Sequence, residues 1–267
     1  MRIARFTTSG SDPMFGIVEL AADGGEHPDT VAAITGDPLA GMPVNYTGVR
    51  YPLDDVRLLA PVIPRSKIIG VGRNYADHAA EMGNEVPPVP LLFFKPNTSI
   101  IGPGDAIVSP DATDDLHFEG ELAIVIGRIA RQVPADRVPE VIFGYTVAND
   151  VTARDLQRTD GQWTRAKGWD TFCPIGPWIN THATVDEAGH WDVTTRLGDD
   201  VRQHGNTADM VRSITDLVVH ISEFTTLLPG DLILTGTPAG VGRMVPGDVV
   251  SVEVEGIGTL TNPVVAP

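Results

Sequence analysis

Apolar residues along this chain gather into short runs, most of them bounded by glycine or proline. The clearest is Glu121–Gly127 (ELAIVIG), a continuous β-branched run of the kind found in strands covered on both faces. Ile142–Asp150 (IFGYTVAND) has the same character, and TARDLQ after it reads as a helix. Upstream, Lys67–Tyr75 (KIIGVGRNY) predicts a buried strand ending in a glycine turn. Tyr75–Met82 predicts a short alanine-bearing helix, and Leu91–Pro96 (LLFFKP) a strand halted by proline. Downstream come WDVTTRLG, a helical stretch around Met210–Phe224, and then strands in DLILTG, DVVSVEVEG and GTLTNPVV.

The first sixty residues read as short strands and turns, with an apolar segment at Ile17–Leu20, a short helix at His27–Ile34 and a loop over Gly36–Pro43. The text changes at Pro61–Pro64. The expected division is a small β-rich N-terminal domain over 1–60 and a larger domain over 61–267, with the alternative that residues 1–60 form an edge of the main sheet. The expected fold class is α+β, dominated by strands.

Composition narrows the function. At 267 residues the chain can bury a sizeable core without disulfides, and its 28 glycines and 22 prolines are scattered as turn punctuation. A net charge of -16 argues against nucleic acid and against an anionic membrane surface, since both need clustered Lys and Arg. An anionic small substrate is still compatible, because a metal or a few buried cations reverse the potential locally. Cys173 is the only cysteine, which points to a reducing compartment, and no apolar run reaches the roughly 20 residues of a membrane span. The start, MRIARFTTSG, lacks the apolar core of a signal peptide. The expected location is the cytoplasm.

The candidate chemistry centres on HFEGELAIVIG. In a strand, positions i and i+2 share a face, so Glu119 and Glu121 point the same way, ~7 Å apart. Two carboxylates entering an apolar run repel each other and resist burial, and a cation between them removes both problems. Asp150, ending the neighbouring strand, would close the set. Oxygen-only donors suit Mg²⁺, Mn²⁺ or Ca²⁺ and leave positions for water and a chelating substrate. Spacing alone also allows a solvated pair with Asp150 capping a helix. His117, two residues before Glu119, reads as a supporting or packing residue, because imidazole suits zinc better. In YADHAAE, His78 and Glu81 lie at i and i+3, a pair that would fix the imidazole tautomer and build a base for activating water. Taken alone, that pair also fits an ordinary surface ion pair. Lys167 stands among Gly, Trp and Phe, either as a snorkelling surface lysine or as a buried cation for an anionic substrate.

Together GVGRNYADHAAE, FFKP, HFEGELAIVIG, GYTVANDVTARDLQ, RAKGWDTFCPIGPW and LTGTPAGVG, in this order, resemble the fumarylacetoacetate hydrolase family from about Pro61 onward. The resemblance implies a mixed β-sandwich roll, a homodimer, and Mg²⁺ or Mn²⁺ as cofactor. It also implies metal ligation by Glu119, Glu121 and Asp150, and a water-activating His78–Glu81 dyad on a segment that closes as a lid. By the same resemblance Lys167 faces the substrate's oxyanion, and Arg154, Gln157 and Thr237 contact substrate. Fumarylacetoacetate hydrolases proper carry a further aspartate where this chain has GVGRNY, so the chain looks like the family's shorter branch. The implied substrate is a small anionic 2-oxo or 2-hydroxy acid, chelating a metal that stabilises its enolate. The first expectation is an isomerase or decarboxylase of the 2-hydroxyhepta-2,4-diene-1,7-dioate type. The second is an acylpyruvate hydrolase with oxaloacetate decarboxylase activity. A catalytically idle metal-binding protein is the alternative of another class, against which His78, Glu81 and Lys167 count.

Overall fold

A computed structural model describes residues 1–21, 28–41 and 43–267. The strands that position the site are β1 (Arg2–Thr7), β2 (Met14–Glu19), β3 (Thr30–Ile34), β4 (Tyr46–Pro52), β5 (Ile68–Gly72), β6 (Leu91–Lys95), β7 (Leu116–Phe118), β8 (Gly120–Ile126), β9 (Ile142–Asn149), β10 (Cys173–Asn180), β11 (Asp192–Leu197), β12 (Asp200–Asn206), β13 (Leu232–Leu234), β14 (Val249–Val254) and β15 (Gly258–Val265). A 12-stranded mixed sheet runs β4-β3-β2-β1-β10-β9-β8-β13-β5-β6, with two further short strands paired off this path. Its pairs along β1, β2, β8, β9 and β10 are antiparallel, and β13 runs parallel to β5. A second sheet of five strands, running β12-β11-β14-β15 with Ile107–Val108 at its edge, packs across β8, β9 and β10. The result is the strand-dominated α+β architecture expected.

β8 shows why its sequence is apolar throughout. Every residue from Gly120 to Ile126 is buried. Leu122, Ile124 and Ile126 face a core shared with Val193, Val252, Val254 and Leu260 of the second sheet. Ala123 and Val125 point the other way, into a cluster with Ile68, Ile175, Leu232 and Leu234. Gly120 matters for a different reason: a Cβ there would collide with Thr195 and Val252, so its bareness lets the second sheet close directly over the start of β8.

Three local expectations change. The helix expected over His27–Ile34 is a strand where it is described, since Thr30–Ile34 pairs antiparallel with β2, Val31 against Val18; His27 lies outside the described residues. The reason is that Val31–Ile34 are all buried between neighbours, and such a fully covered run suits a pleated strand better than an exposed helix. The helix expected over TARDLQ starts only at Arg154, because Thr152 and Ala153 are held as strand by His117 and Leu116. The Met210–Phe224 helix begins at Ile214, after Ser213, whose side chain caps the Asp216 N–H in a reciprocal capping box; Ile214, Leu217, Val218 and Ile221 bury its inner stripe.

The described strands of residues 1–60 join the large sheet. β1 pairs with β10 through Arg2 opposite Asn180 and Ile3 opposite Ile179, so the N-terminal strands extend it. No helix among the described residues is long and apolar enough to cross a membrane. Cys173 at the start of β10 is fully buried, and that burial pushes its thiol up to about 12. Native protein is therefore expected to show no reaction with a thiol-disulfide reagent at neutral pH, and one equivalent after denaturation. Rapid labelling of the folded chain would contradict this burial.

Candidate active site

The chain crosses from one sheet to another at Glu119. Phe118 ends β7, which pairs with Thr152–Ala153 and Gly242–Arg243, and Gly120 begins β8 in the large sheet. Glu119 thus lies at a junction between two strands, whereas the spacing had predicted it within one. Its backbone is held there by the Asn149 side chain, which accepts from the Glu119 N–H at 2.9 Å, while the Glu119 carbonyl accepts from the Asp150 N–H at 2.8 Å. Asp150 follows β9 directly. In consequence Glu119, Glu121 and Asp150 each offer an oxygen within 4.8 Å of the other two, and all three residues are buried.

Isolated buried carboxylates would be untenable, and the charges around these explain how they persist. The Lys167 ammonium donates to Glu119 at 2.7 Å and to Asp150 at 2.5 Å. The Lys95 ammonium takes the other Asp150 oxygen at 2.5 Å, and the Arg154 guanidinium the other Glu119 oxygen at 2.5 Å. Burial pushes the Glu119 carboxyl up, but Lys167 and Arg154 outweigh it and hold it well below the usual carboxylate range. Burial likewise pulls the Lys167 ammonium down, yet Asp150 and Glu119 keep it above its ordinary value. Glu121 is the exception. It has no cation at ion-pair distance among the described residues and accepts one N–H, from Gly236 at 2.7 Å. Burial and the Asp150 and Glu119 charges raise its carboxyl well above the ordinary range.

This donor set fits a hard divalent ion: three buried carboxylates, oxygen donors only, with Glu121 still in need of a counter-charge. Lys167 sits between Glu119 and Asp150, at a point that already attracts a cation. His117 is not part of the group; its Nε2 meets Asp115 at 2.8 Å, and its Nδ1 has no partner among the described residues.

Glu119, Glu121, Arg154 and Lys167 line a cleft of about 330 Å³ together with Val71, Gly72, Arg73, His78, Trp163 and Thr237. The His78 Nδ1 lies 3.2 Å from Glu81. Because a carboxylate can only accept, Nδ1 carries the proton in that pair, and in the neutral imidazole Nε2 is then the nitrogen with the free lone pair. Glu81 also accepts from the Gly240 N–H at 3.1 Å, which ties helix α1 (Ala76–Glu81) to the loop after β13. Arg154, at the start of helix α2 (Arg154–Thr159), spends one Nη on Glu119 and the other on Gln157 at 2.6 Å. The Thr237 hydroxyl donates to the Gly120 carbonyl and accepts from Gln203, both at 2.8 Å.

Two buried residues of the site escape sequence reasoning. Lys95 reads as the charged end of a strand, and its partner Asp150 is 55 residues away. Gln203 reads as a polar strand position, yet its Oε1 accepts from the Gly120 N–H at 3.0 Å and its amide reaches Thr237 and Pro238. The one local signal was Lys95 within the FFKP motif.

The sequence matches the fumarylacetoacetate (FAA) hydrolase C-terminal family over residues 67–265 and the Rv2993c-like N-terminal family over residues 1–61. Among solved structures, that of 2-hydroxyhepta-2,4-diene-1,7-dioate isomerase from Mycobacterium marinum superposes with a TM-score of 0.89. It is 47% identical, over 100% of this chain and 98% of that one. Maleylpyruvate hydrolase from Sphingobium sp. SYK-6, in complex with manganese(II) and pyruvate, superposes with a TM-score of 0.80 at 32% identity, over 100% of this chain and 99% of that one. Oxaloacetate tautomerase YisK of Bacillus subtilis is 40% identical over 223 residues, covering 79% of this chain and 74% of YisK. The convergence of Glu119, Glu121 and Asp150 under His78 and Lys167 therefore lies in a chain that belongs to the fumarylacetoacetate hydrolase family and is an enzyme of its isomerase and hydrolase type.

Proposed function

We propose that this protein is a divalent-metal-dependent isomerase that interconverts the 2-hydroxy-ene and 2-oxo forms of a small dicarboxylic acid. The observation that carries the reading is the buried carboxylate trio, two of whose members, Glu119 and Glu121, line one cleft with Lys167 and His78. Two relatives support the reaction class: one is named for isomerising a 2-hydroxy dienedioate and the other for tautomerising oxaloacetate. Both substrates are diacids whose conversion moves a proton between carbon and the C2 oxygen.

Glu119, Glu121 and Asp150 would hold Mg²⁺ or Mn²⁺, which supplies Lewis-acid polarisation of the substrate's C2 oxygen when bound. Lys167, already flanked by two carboxylates, places an ammonium beside that oxygen and favours the form in which it carries negative charge. His78, with its Nδ1 proton fixed by Glu81, accepts and returns the carbon-bound proton through Nε2. Trp163 and Met82 add apolar surface to the cleft lining. Thr237 and the Arg154–Gln157 pair shape the wall that receives the substrate.

A panel of oxaloacetate, unsaturated 2-hydroxy dioates and acylpyruvates, followed by ultraviolet absorbance with Mg²⁺ or Mn²⁺, tests the assignment. Faster loss of the enol band, abolished by EDTA, is expected for the diacids, and His78→Ala should slow it about 10²- to 10⁴-fold. No turnover of any member by metal-loaded protein would sink the proposal. The His78–Glu81 pair also suits activation of water, which favours C–C hydrolysis of acylpyruvates as the second reading. In that case His78→Ala abolishes hydrolysis while sparing oxaloacetate decarboxylation, and equal loss of both would remove the distinction.

A further inference from the structure

The turn between β5 and α1 holds an arginine in a conformation that arginine seldom adopts. Arg73 has φ of 57°, in the left-handed region that costs a non-glycine residue free energy and persists only where the surroundings enforce it. The surroundings do enforce it. Asn74 is buried, and its side-chain amide donates to the Thr235 carbonyl at 2.8 Å and the Arg212 carbonyl at 3.1 Å, while its oxygen accepts from the Arg212 N–H at 2.9 Å. Its backbone carbonyl accepts from the Val211 N–H as well. On the other side, Gly72 passes so close to Trp163 that a Cβ there would stand 2.7 Å from the ring. The turn is therefore clamped from both sides, and residue 73 is delivered to the wall of the cleft.

The charge pattern of that wall singles Arg73 out. Of the basic side chains around the cleft, Lys167 is spent on Glu119 and Asp150, Arg154 on Glu119, and Arg158 on Asp115 at 2.7 Å. Arg73 lines the same cleft, is half-buried, and makes no ion pair or side-chain hydrogen bond among the described residues. With Arg158 and Asp115 cancelling each other, Glu119, Glu121 and Asp150 face three committed cations, Lys95, Lys167 and Arg154, so a bound divalent ion would leave the site with excess positive charge, and Arg73 adds to it. A monoanion leaves part of that charge unmatched, whereas a dianion meets the ion at one end and the free guanidinium at the other. From this arrangement we infer that Arg73 is the specificity-determining residue for the substrate's distal carboxylate, pairing with it in the bidentate manner that suits guanidinium and carboxylate. The inference deepens the proposed function and rests on it.

Two 2-oxo acids that differ in the distal group separate the possibilities. Pyruvate and 2-oxoglutarate can each chelate a metal through the same carboxylate and oxo group, and only the second has a far carboxylate. Their dissociation constants are measured by calorimetry on Mn²⁺-loaded wild type, Arg73→Asn and Arg73→Lys. Asparagine tolerates the left-handed turn, so the fold is kept while the charge is removed. Expected is a loss of about 10- to 100-fold for 2-oxoglutarate in Arg73→Asn, less than about threefold for pyruvate, and partial recovery in Arg73→Lys. The KM for dicarboxylates should rise in parallel, with kcat changed much less. Equal weakening of both acids, or no change in either, would overturn the role of Arg73. Binding of neither acid to metal-loaded wild type would overturn the proposed function, and this inference with it.

Discussion

Lys167→Met is expected to destabilise the metal-free protein by about 3–5 kcal/mol, because it strips the shared counter-charge from two buried carboxylates. Methionine preserves most of the volume and the contact with the Phe93 ring, over which the Lys167 ammonium now sits at 4.9 Å. The loss is thus electrostatic. Lys95 and Arg154 still neutralise one oxygen each of Asp150 and Glu119, which keeps the cost within that range. If Glu119, Glu121 and Asp150 hold a divalent ion, Mn²⁺ should return more stability to the variant than to the wild type, since in the variant it replaces a missing cation. Urea unfolding with and without Mn²⁺ measures both quantities. A variant as stable as wild type without metal would show that the three carboxylates do not depend on Lys167. If Lys167 acts on the substrate as proposed, catalysis should fall about 10²- to 10³-fold even with metal restored.

Glu121→Gln carries the opposite sign for stability and an equally large loss of binding. Glutamine fits the same space and can still accept from Gly236, but it removes the one carboxyl of the three that has no cation partner among the described residues. Burial, Asp150 and Glu119 raise that carboxyl well above its ordinary value in the fold. A carboxyl raised in this way favours the folded state when protonated. Its contribution is fully present below the ordinary carboxylate range and is lost as pH rises through the raised value. Glu119, held low, works the other way: its contribution is present above the ordinary range and lost as pH falls. Metal-free wild type should therefore lose stability toward neutral and higher pH through Glu121, and the glutamine variant should lack that decline. Melting temperatures in EDTA across the acid-to-neutral range decide this, and identical profiles would refute it. Metal affinity in the variant should fall about 100-fold or more, with activity following.

Much of the site was legible in the residues themselves. Glu119 and Glu121 announce themselves by standing two apart at the head of an apolar run, where charge needs a reason. Asp150 is visible at the end of another such run, and His78 and Glu81 by their helical spacing. The reading erred at segment ends. Thr152 and Ala153 have no local signal for strand, and they are drawn into one by β7, more than thirty residues earlier in the chain. The same holds for β3, where burial against β2 overrode a helical reading.

What sequence alone determined was a strand-rich core and which charged residues stand at the head of apolar runs or at helical spacing, while leaving open whether Glu119 and Glu121 are buried and whether His78 and Glu81 form more than a surface pair. Those follow from local pattern, because hydrophobic periodicity and residue type act over a few positions. Only the tertiary structure decided how that charge is balanced. It brings Lys95, Lys167 and Arg154 onto Glu119 and Asp150, leaves Glu121 without a cation partner among the described residues, threads Gln203 from the second sheet under Gly120, and clamps Arg73 into the cleft wall. The contacts among these join residues distant in the chain, and such contacts exist only once the fold has brought those segments together.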